Sequence, residues 1–234
     1  MSTFDSFNPV TGLSIGQHAL STKEDVDAAV ASAREVAPFW QALQFKGRKK
    51  ALLQWNAYLM ENLDDLVEIV SLETGKPTSD ATLEASLALA HLGWAARNAE
   101  EVMRTAHRSP GVLMANMSAT VERSPLGVVG VIGPWNYPVF TPMGSISYAL
   151  AAGNTVVFKP SEYTPAVGKF LADSFLEATG LNDVFICVTG LGDTGKYLCE
   201  SGVNKLAFTG STATAKRVAA TCALTMTPVV LECG

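Results

Sequence analysis

At 234 residues and 48% hydrophobic content the chain is long and apolar enough for one large α/β domain with its own core, so a globular protein is expected. Its formal net charge of −5 argues against a polyanionic partner, because nucleic-acid binding needs a basic face. Four irregularly spaced cysteines with no Cys-x-x-Cys pair, and His18, His91 and His107 far apart, give neither a disulfide framework nor a metal site.

The first residues, Met-Ser-Thr-Phe-Asp-Ser-Phe-Asn-Pro, carry neither a basic start nor an apolar run, so no secretory signal or lipidation site is visible and a cytoplasmic protein is expected. From Ser21 to about Arg108 the chain reads as helical, with apolar positions three and four apart in Val26-Ala29-Val30-Ala33 and in Leu52-Leu53-Trp55-Leu59-Leu63. Ser21-Thr22-Lys23-Glu24 resembles a capping box, and Gly75-Lys76-Pro77 stops the third helix. Trp40, Trp55 and Trp94 sit on apolar faces and are expected to pack rather than bind. From Gly111 to Arg123 the pattern alternates, through Met117, Ala119 and Val121, as in an exposed strand or hairpin arm that wants a partner.

Between Arg123 and Lys159 there is no charged side chain and no histidine, which makes most of this segment interior. Pro134, Pro138 and Pro142 interrupt it too often for a membrane span. What remains is a strand from Val128 to Ile132, a turn from Gly133 to Pro138 in which two prolines lock φ and a glycine frees it, a helix from about Thr141 to Ala152, and a strand from Thr155 to Phe158. A helical crossover makes such strands parallel and puts both following turns on one sheet edge, where ligands bind in open parallel sheets. After Glu162 come a helix (Pro165 to Thr179), a strand (Val184 to Val188), a helix (Thr194 to Ser201), a strand (Lys205 to Phe208), a helix (Ser211 to Leu224) and a strand (Pro228 to Leu231). The fold expected is α/β: a Rossmann-like, doubly wound parallel sheet with N-terminal helices and an extended β arm. Residues 1–110 form the helical part, 111–126 the arm, and 127–234 the dinucleotide-binding core.

Several side chains at the sheet edge suit chemistry. Lys159 and Glu162 flank a proline at a strand end, where a solvated ion pair competes with a donor and an acceptor for two ribose hydroxyls. Gly190-Leu-Gly192-Asp-Thr-Gly195 is a literal G-x-G-x-x-G, but no acidic residue follows about twenty positions later, so its role is mainly structural. Phe208-Thr-Gly210-Ser211-Thr opens a helix whose first N–H groups, with the Ser211 or Thr212 hydroxyl, can hold a pyrophosphate. Asn136 is either a turn former or an uncharged donor to a developing oxyanion. Glu232 closes an apolar strand, an expensive place for an ionised group without a task or a partner.

Gly-Pro-Trp-Asn-Tyr-Pro at 133–138, Phe-Lys-Pro-Ser-Glu at 158–162, Phe208-Thr-Gly-Ser-Thr212 and Leu231-Glu-Cys-Gly234 resemble, in that order, the motifs of the aldehyde dehydrogenase superfamily. Asn8-Pro-Val-Thr-Gly12 and Glu73-Thr-Gly-Lys-Pro77 resemble further landmarks of it. The resemblance implies oxidation of an aldehyde to a carboxylic acid through a cysteine thioester. Asn136 would then serve as oxyanion donor and Glu232 as the base that activates water. Ile132, Pro134, Trp135, Lys159, Ser161, Glu162, Gly192, Phe208, Gly210, Ser211 and Cys233 would contact the cofactor. A carboxylate at Glu162 would repel a 2′-phosphate, so NAD is favoured over NADP. The family often has a glycine where this chain has Ala215. The arm from Gly111 would pack against another subunit of a homo-oligomer. The family's catalytic cysteine lies some tens of residues beyond the glutamate, and Cys187, Cys199 and Cys222 do not replace it. The chain, which stops at Gly234, is therefore expected to be the cofactor-binding portion, inactive alone. A non-catalytic dinucleotide-binding or oligomerisation module, and a CoA-acylating semialdehyde dehydrogenase, are the alternatives.

Overall fold

The computed structural model describes residues 2–234. It opens on an antiparallel hairpin, β1 (Thr3–Phe7) and β2 (Ser14–Ala19), whose turn is organised by the Asn8 side chain accepting the N–H groups of Val10 and Thr11. No strand is expected here from the sequence, because the alternation is short and both strands are largely exposed. Long-range bonds hold the segment that follows. The Ser21 N–H donates to the Thr189 carbonyl at 2.9 Å, while the hydroxyls of Thr189 and Thr194 donate to the carbonyls of Ala19 (2.6 Å) and Ser21 (3.1 Å).

The helices α1 (Lys23–Ala42), α2 (Gln44–Glu61), α3 (Leu63–Thr74) and α4 (Thr78–Met103) follow. The capping box of α1 runs from Thr22 to Asp25 rather than from Ser21 to Glu24. The Thr22 hydroxyl accepts the Asp25 N–H at 3.3 Å and the Asp25 carboxylate accepts the Thr22 N–H at 2.9 Å, while Ser21 is tied to Thr189. Gly75, at φ +73°, ends α3 in the left-handed conformation. Trp40 and Trp55 are fully buried as expected, both edge-on to Phe175, and their ring N–H groups donate to the Leu150 carbonyl (3.0 Å) and the Ser174 hydroxyl (2.9 Å). Trp94 does not join them. The buried stripe of α4 runs through Ala81, Ala85, Ala88, Leu92 and Ala96, so Trp94 points outward, 51% exposed and edge-on to Tyr148.

Helix also stops short of Arg108. Ala106–Arg108 is strand β3, paired antiparallel with β4 (Ala119–Val121), because cross-strand pairing outweighs a weak helical pattern. The arm thus begins before Gly111, and at its far end Val112 and Leu113 are almost wholly exposed.

The sheet has five parallel strands, β5 (Val128–Ile132), β6 (Thr155–Lys159), β7 (Phe185–Cys187), β8 (Lys205–Gly210) and β9 (Val229–Cys233), in the order β7-β6-β5-β8-β9. The crossovers are α5 (Phe140–Ala151), α6 (Pro165–Thr179), α7 (Gly192–Glu200) and α8 (Thr212–Ala223). Alternate residues of β5 enter different cores. Val129 and Val131 join Trp40, Trp55 and Phe175 on one face, while Val128 and Ile132 join Val30, Leu198 and Leu206 on the other. The chain reverses its direction of winding at β5, and the crevice this opens between the carboxyl ends of β5 and β8 is where such sheets take ligands.

Candidate active site

A groove of about 1020 Å³ runs along the carboxyl ends of β5, β6, β8 and β9. The groove is lined by every site residue singled out from the sequence: Ile132 at the end of β5 with Pro134, Trp135 and Asn136 in the turn after it; Lys159, Ser161 and Glu162 at β6; Gly192 at the start of α7; Phe208, Gly210 and Ser211 at β8; Glu232 and Cys233 at β9. Parallel strands put their following loops on one edge, which is why residues a hundred positions apart in the chain share one wall.

At the β5 end, Gly133 donates its N–H to the Lys159 carbonyl at 3.1 Å and fastens two site loops together. Its φ is not positive, so the freedom expected of it is not used. A Cβ there would lie 3.0 Å from the Phe158 ring and 3.3 Å from Pro142, and the glycine is needed for space. Trp135, Asn136 and Tyr137 are exposed at the turn, an exception to the interior character of the charge-free segment.

Lys159 is 4% exposed, and its ammonium has the Glu162 carboxylate at 3.5 Å, with Glu162 about 40% exposed. Burial pushes the lysine below its ordinary value, and the Glu162 charge works against that. An ammonium has three N–H donors, so this one retains capacity toward the groove. Ser211 caps α8: its hydroxyl accepts the Thr214 N–H at 3.3 Å and donates to the Thr214 hydroxyl at 3.0 Å. That commits the Ser211 hydroxyl to its own helix and leaves backbone N–H groups of the first turn to face a ligand. A Cβ on Gly210 would lie 2.7 Å from the Phe208 ring, whereas one on Gly192 would meet nothing within 4 Å. Gly190, by contrast, is a packing glycine, since a Cβ there would lie 2.1 Å from the Thr194 hydroxyl. Ala215 is 2% exposed and belongs to the inner core, so it does not line the groove.

Glu232 is exposed, contrary to the burial expected of it, because β9 pairs only with β8 and its end is uncovered on the other side. Its carboxylate accepts from the Thr209 hydroxyl at 3.4 Å. Burial pushes the thiols of Cys187 and Cys199 up to about 12 and raises that of Cys222 as well, so none is an activated thiolate.

Sequence reasoning missed Arg217, which lines the groove with Thr214, Val218 and Thr221. The signal was present: these positions lie three and four apart from Ser211 onward and so share one face of α8. Sequence reasoning assigns Glu73 no role beyond its place in a family motif; it lies near the end of α3, 3% exposed, and its two oxygens accept the N–H groups of Ala166 (2.9 Å) and Val167 (3.0 Å) at the start of α6. Burial pushes its carboxyl up to about 7, against the pull of those two bonds.

A sequence model described as the aldehyde dehydrogenase family matches residues 1–234. Among solved structures, gamma-glutamyl-gamma-aminobutyraldehyde dehydrogenase from Burkholderia cenocepacia J2315 is 35% identical with a TM-score of 0.91, over 99% of this chain and 47% of that one. An E. coli NADP-dependent enzyme is 34% identical with a TM-score of 0.94, over 100% and 48%. PnpE from Pseudomonas sp. WBC-3, in complex with nicotinamide adenine dinucleotide, is 33% identical with a TM-score of 0.93, over 100% and 48%. The chain spans about half the length of these proteins. A Rossmann-like sheet with this groove, and a family match over all its residues, make the chain a member of the aldehyde dehydrogenase family.

Proposed function

We propose that the groove binds nicotinamide adenine dinucleotide, and that the chain is the cofactor-binding part of an enzyme that oxidises an aldehyde to a carboxylic acid. The observation that carries this is Lys159, a buried ammonium at a strand end whose one ionic partner, Glu162, stands 3.5 Å away across the rim of the groove. The pair offers a donor and an acceptor to the two hydroxyls of the adenosine ribose. The first turn of α8 offers backbone N–H groups and the positive end of its macrodipole to the pyrophosphate, and Gly192 leaves open space beside it. When bound, the dinucleotide supplies the hydride acceptor.

The chain's own residues do the rest of the work assigned here. The Asn136 carboxamide donates to the carbonyl oxygen as a thiolate adds to the aldehyde carbon, and Glu232 takes a proton from the water that releases the acid from its thioester. The thiolate is assigned to none of the raised, buried thiols of this chain but to the half of the family fold that it does not span. Glu162 opposes a 2′-phosphate and so favours NAD over NADP. The exposed apolar tip of the β3–β4 hairpin suits packing against a second copy.

Calorimetric titration of the 234-residue chain with NAD tests the reading. Saturable one-to-one binding is expected, weakened at least about tenfold by Lys159→Met, the loss of one charge-assisted contact. A folded chain that does not bind NAD, or a Lys159→Met variant that binds equally well, overturns it.

A further inference from the structure

Glu84 stands in the buried stripe of α4 beside Ala81 and Ala85, 1% exposed, and uses both carboxylate oxygens. Oε1 accepts the backbone N–H groups of Val139 (2.9 Å) and Phe140 (3.2 Å) at the start of α5, where the N-cap residue, Val139, offers no side-chain acceptor of its own. The orphan donors of one helix are thus satisfied from another, with a negative charge at the positive end of its dipole. Oε2 accepts from the ammonium of Lys76, which is itself only 15% exposed. That ammonium also donates to the Asn136 carbonyl at 2.8 Å and lies 4.4 Å from the centre of the Tyr137 ring.

The turn that carries Asn136 is therefore fastened on both sides. Gly133 ties its start to β6, and Lys76 ties its middle to a carboxylate buried in α4. The carboxamide is exposed to the groove, so the direction in which it points is set by backbone atoms that these contacts hold. We infer that Lys76 and Glu84 are positioning residues, which aim the Asn136 carboxamide at the carbonyl oxygen of the substrate. This rests on the reading of Asn136 as an oxyanion donor.

A buried ion pair that merely caps a helix would look much the same, but the two roles divide between atoms. The cap is made by Oε1 of Glu84, with Lys76 only balancing its charge through Oε2, whereas the hydrogen bond to Asn136 is made by Lys76. Lys76→Met therefore removes the tether, while Oε1 of Glu84, charged or protonated, can still accept the two N–H groups of α5.

The experiment is a double-mutant cycle in the aldehyde-oxidising enzyme that carries this chain, read as the pre-steady-state burst of NADH. Asn136→Ala is expected to slow the burst on the order of a hundredfold. Lys76→Met is expected to slow it roughly tenfold through misplacement of the donor, with the affinity for NAD held within about twofold and most of the rate recovered in Lys76→Arg. On the Asn136→Ala background, Lys76→Met should cost less than about twofold, because two residues that act through one group are not additive. If Lys76→Met does not fold, Glu84→Gln carries the same comparison, because its amide oxygen can still accept from the α5 N–H groups while the charge that holds the Lys76 ammonium in place is gone. An unchanged burst in Lys76→Met, or the same loss on both backgrounds, overturns the inference while the oxyanion reading stands. A full burst in Asn136→Ala overturns the oxyanion reading itself, and this inference with it.

Discussion

Removing the charge of Glu73 should change how stability depends on pH. The carboxyl is 3% exposed and is pushed up to about 7 by burial, from an ordinary value of 4.5 in the unfolded chain. Between those values the folded chain holds a proton that the unfolded chain has released, so stability falls as pH rises through the window and the loss is complete above it. At about 1.4 kcal/mol per pH unit, the Glu73 contribution drops by about 2.5 kcal/mol between pH 5 and pH 8. His18 works the other way, because burial lowers its value from 6.5 and the unfolded chain then binds the extra proton. Comparison with Glu73→Gln cancels that term. A protonated carboxyl and an amide each present one acceptor oxygen to the two N–H groups of α6, so the variant should roughly match the natural chain near pH 5. It should be the more stable by about 2.5 kcal/mol at pH 8, measured by urea unfolding at both values. Parallel pH profiles would refute the reasoning. They would mean that the N–H groups of Ala166 and Val167 outweigh burial and hold the carboxylate ionised throughout.

If Glu162 opposes a 2′-phosphate as proposed, Glu162→Ser should lower the ratio of kcat/KM for NAD to that for NADP in the proposed aldehyde-oxidising enzyme, and an unchanged ratio would refute that role. Glu232→Gln should keep the burst of NADH but slow the steady rate as acyl-enzyme accumulates; loss of both would move Glu232 to activation of the thiol. The same substitution at two glycines should have opposite effects. Gly168→Ala brings a Cβ within 2.5 Å of the rigid Pro160 ring and should destabilise the chain by about 1–3 kcal/mol in urea. Gly192→Ala meets nothing within 4 Å and should leave stability within about 0.5 kcal/mol while weakening dinucleotide binding in the same titration.

The β5–α5–β6 unit is legible in the sequence because a charge-free stretch broken by prolines is too interrupted to span a membrane and too apolar to lie in solvent, and parallel pairing then carries Asn136 and Glu162 to one edge. Gly133 shows the limit: a glycine in a turn suggests φ freedom, while the need for space beside Phe158 depends on tertiary packing. Trp94 and Glu232 fail for a related reason. Apolar or acidic character alone does not say which side of a helix, or which edge of a sheet, is covered. Lys76 and Glu84 look like the charges of a solvated helix start, and only the fold reveals that the start of another helix lacks a cap and needs them. The hairpin β1–β2 is illegible because its strands are short and mostly exposed and so carry no clear alternation, while the bonds that hold the segment after it come from Thr189 and Thr194, far along the chain.

Those bonds to Thr189 and Thr194 span 170 and 173 residues, and they have a consequence for biosynthesis. At about 5–20 residues per second, the amino end leaves the ribosome roughly ten to thirty seconds before its partners exist. During that interval the Ala19 carbonyl and the N–H and carbonyl of Ser21 lack their final partners, and the α7 rim of the groove cannot close. Translation order therefore assembles that rim only after α1 to α6 have been made, and leaves the nascent amino end open to capture by holdase chaperones until the loop before α7 emerges.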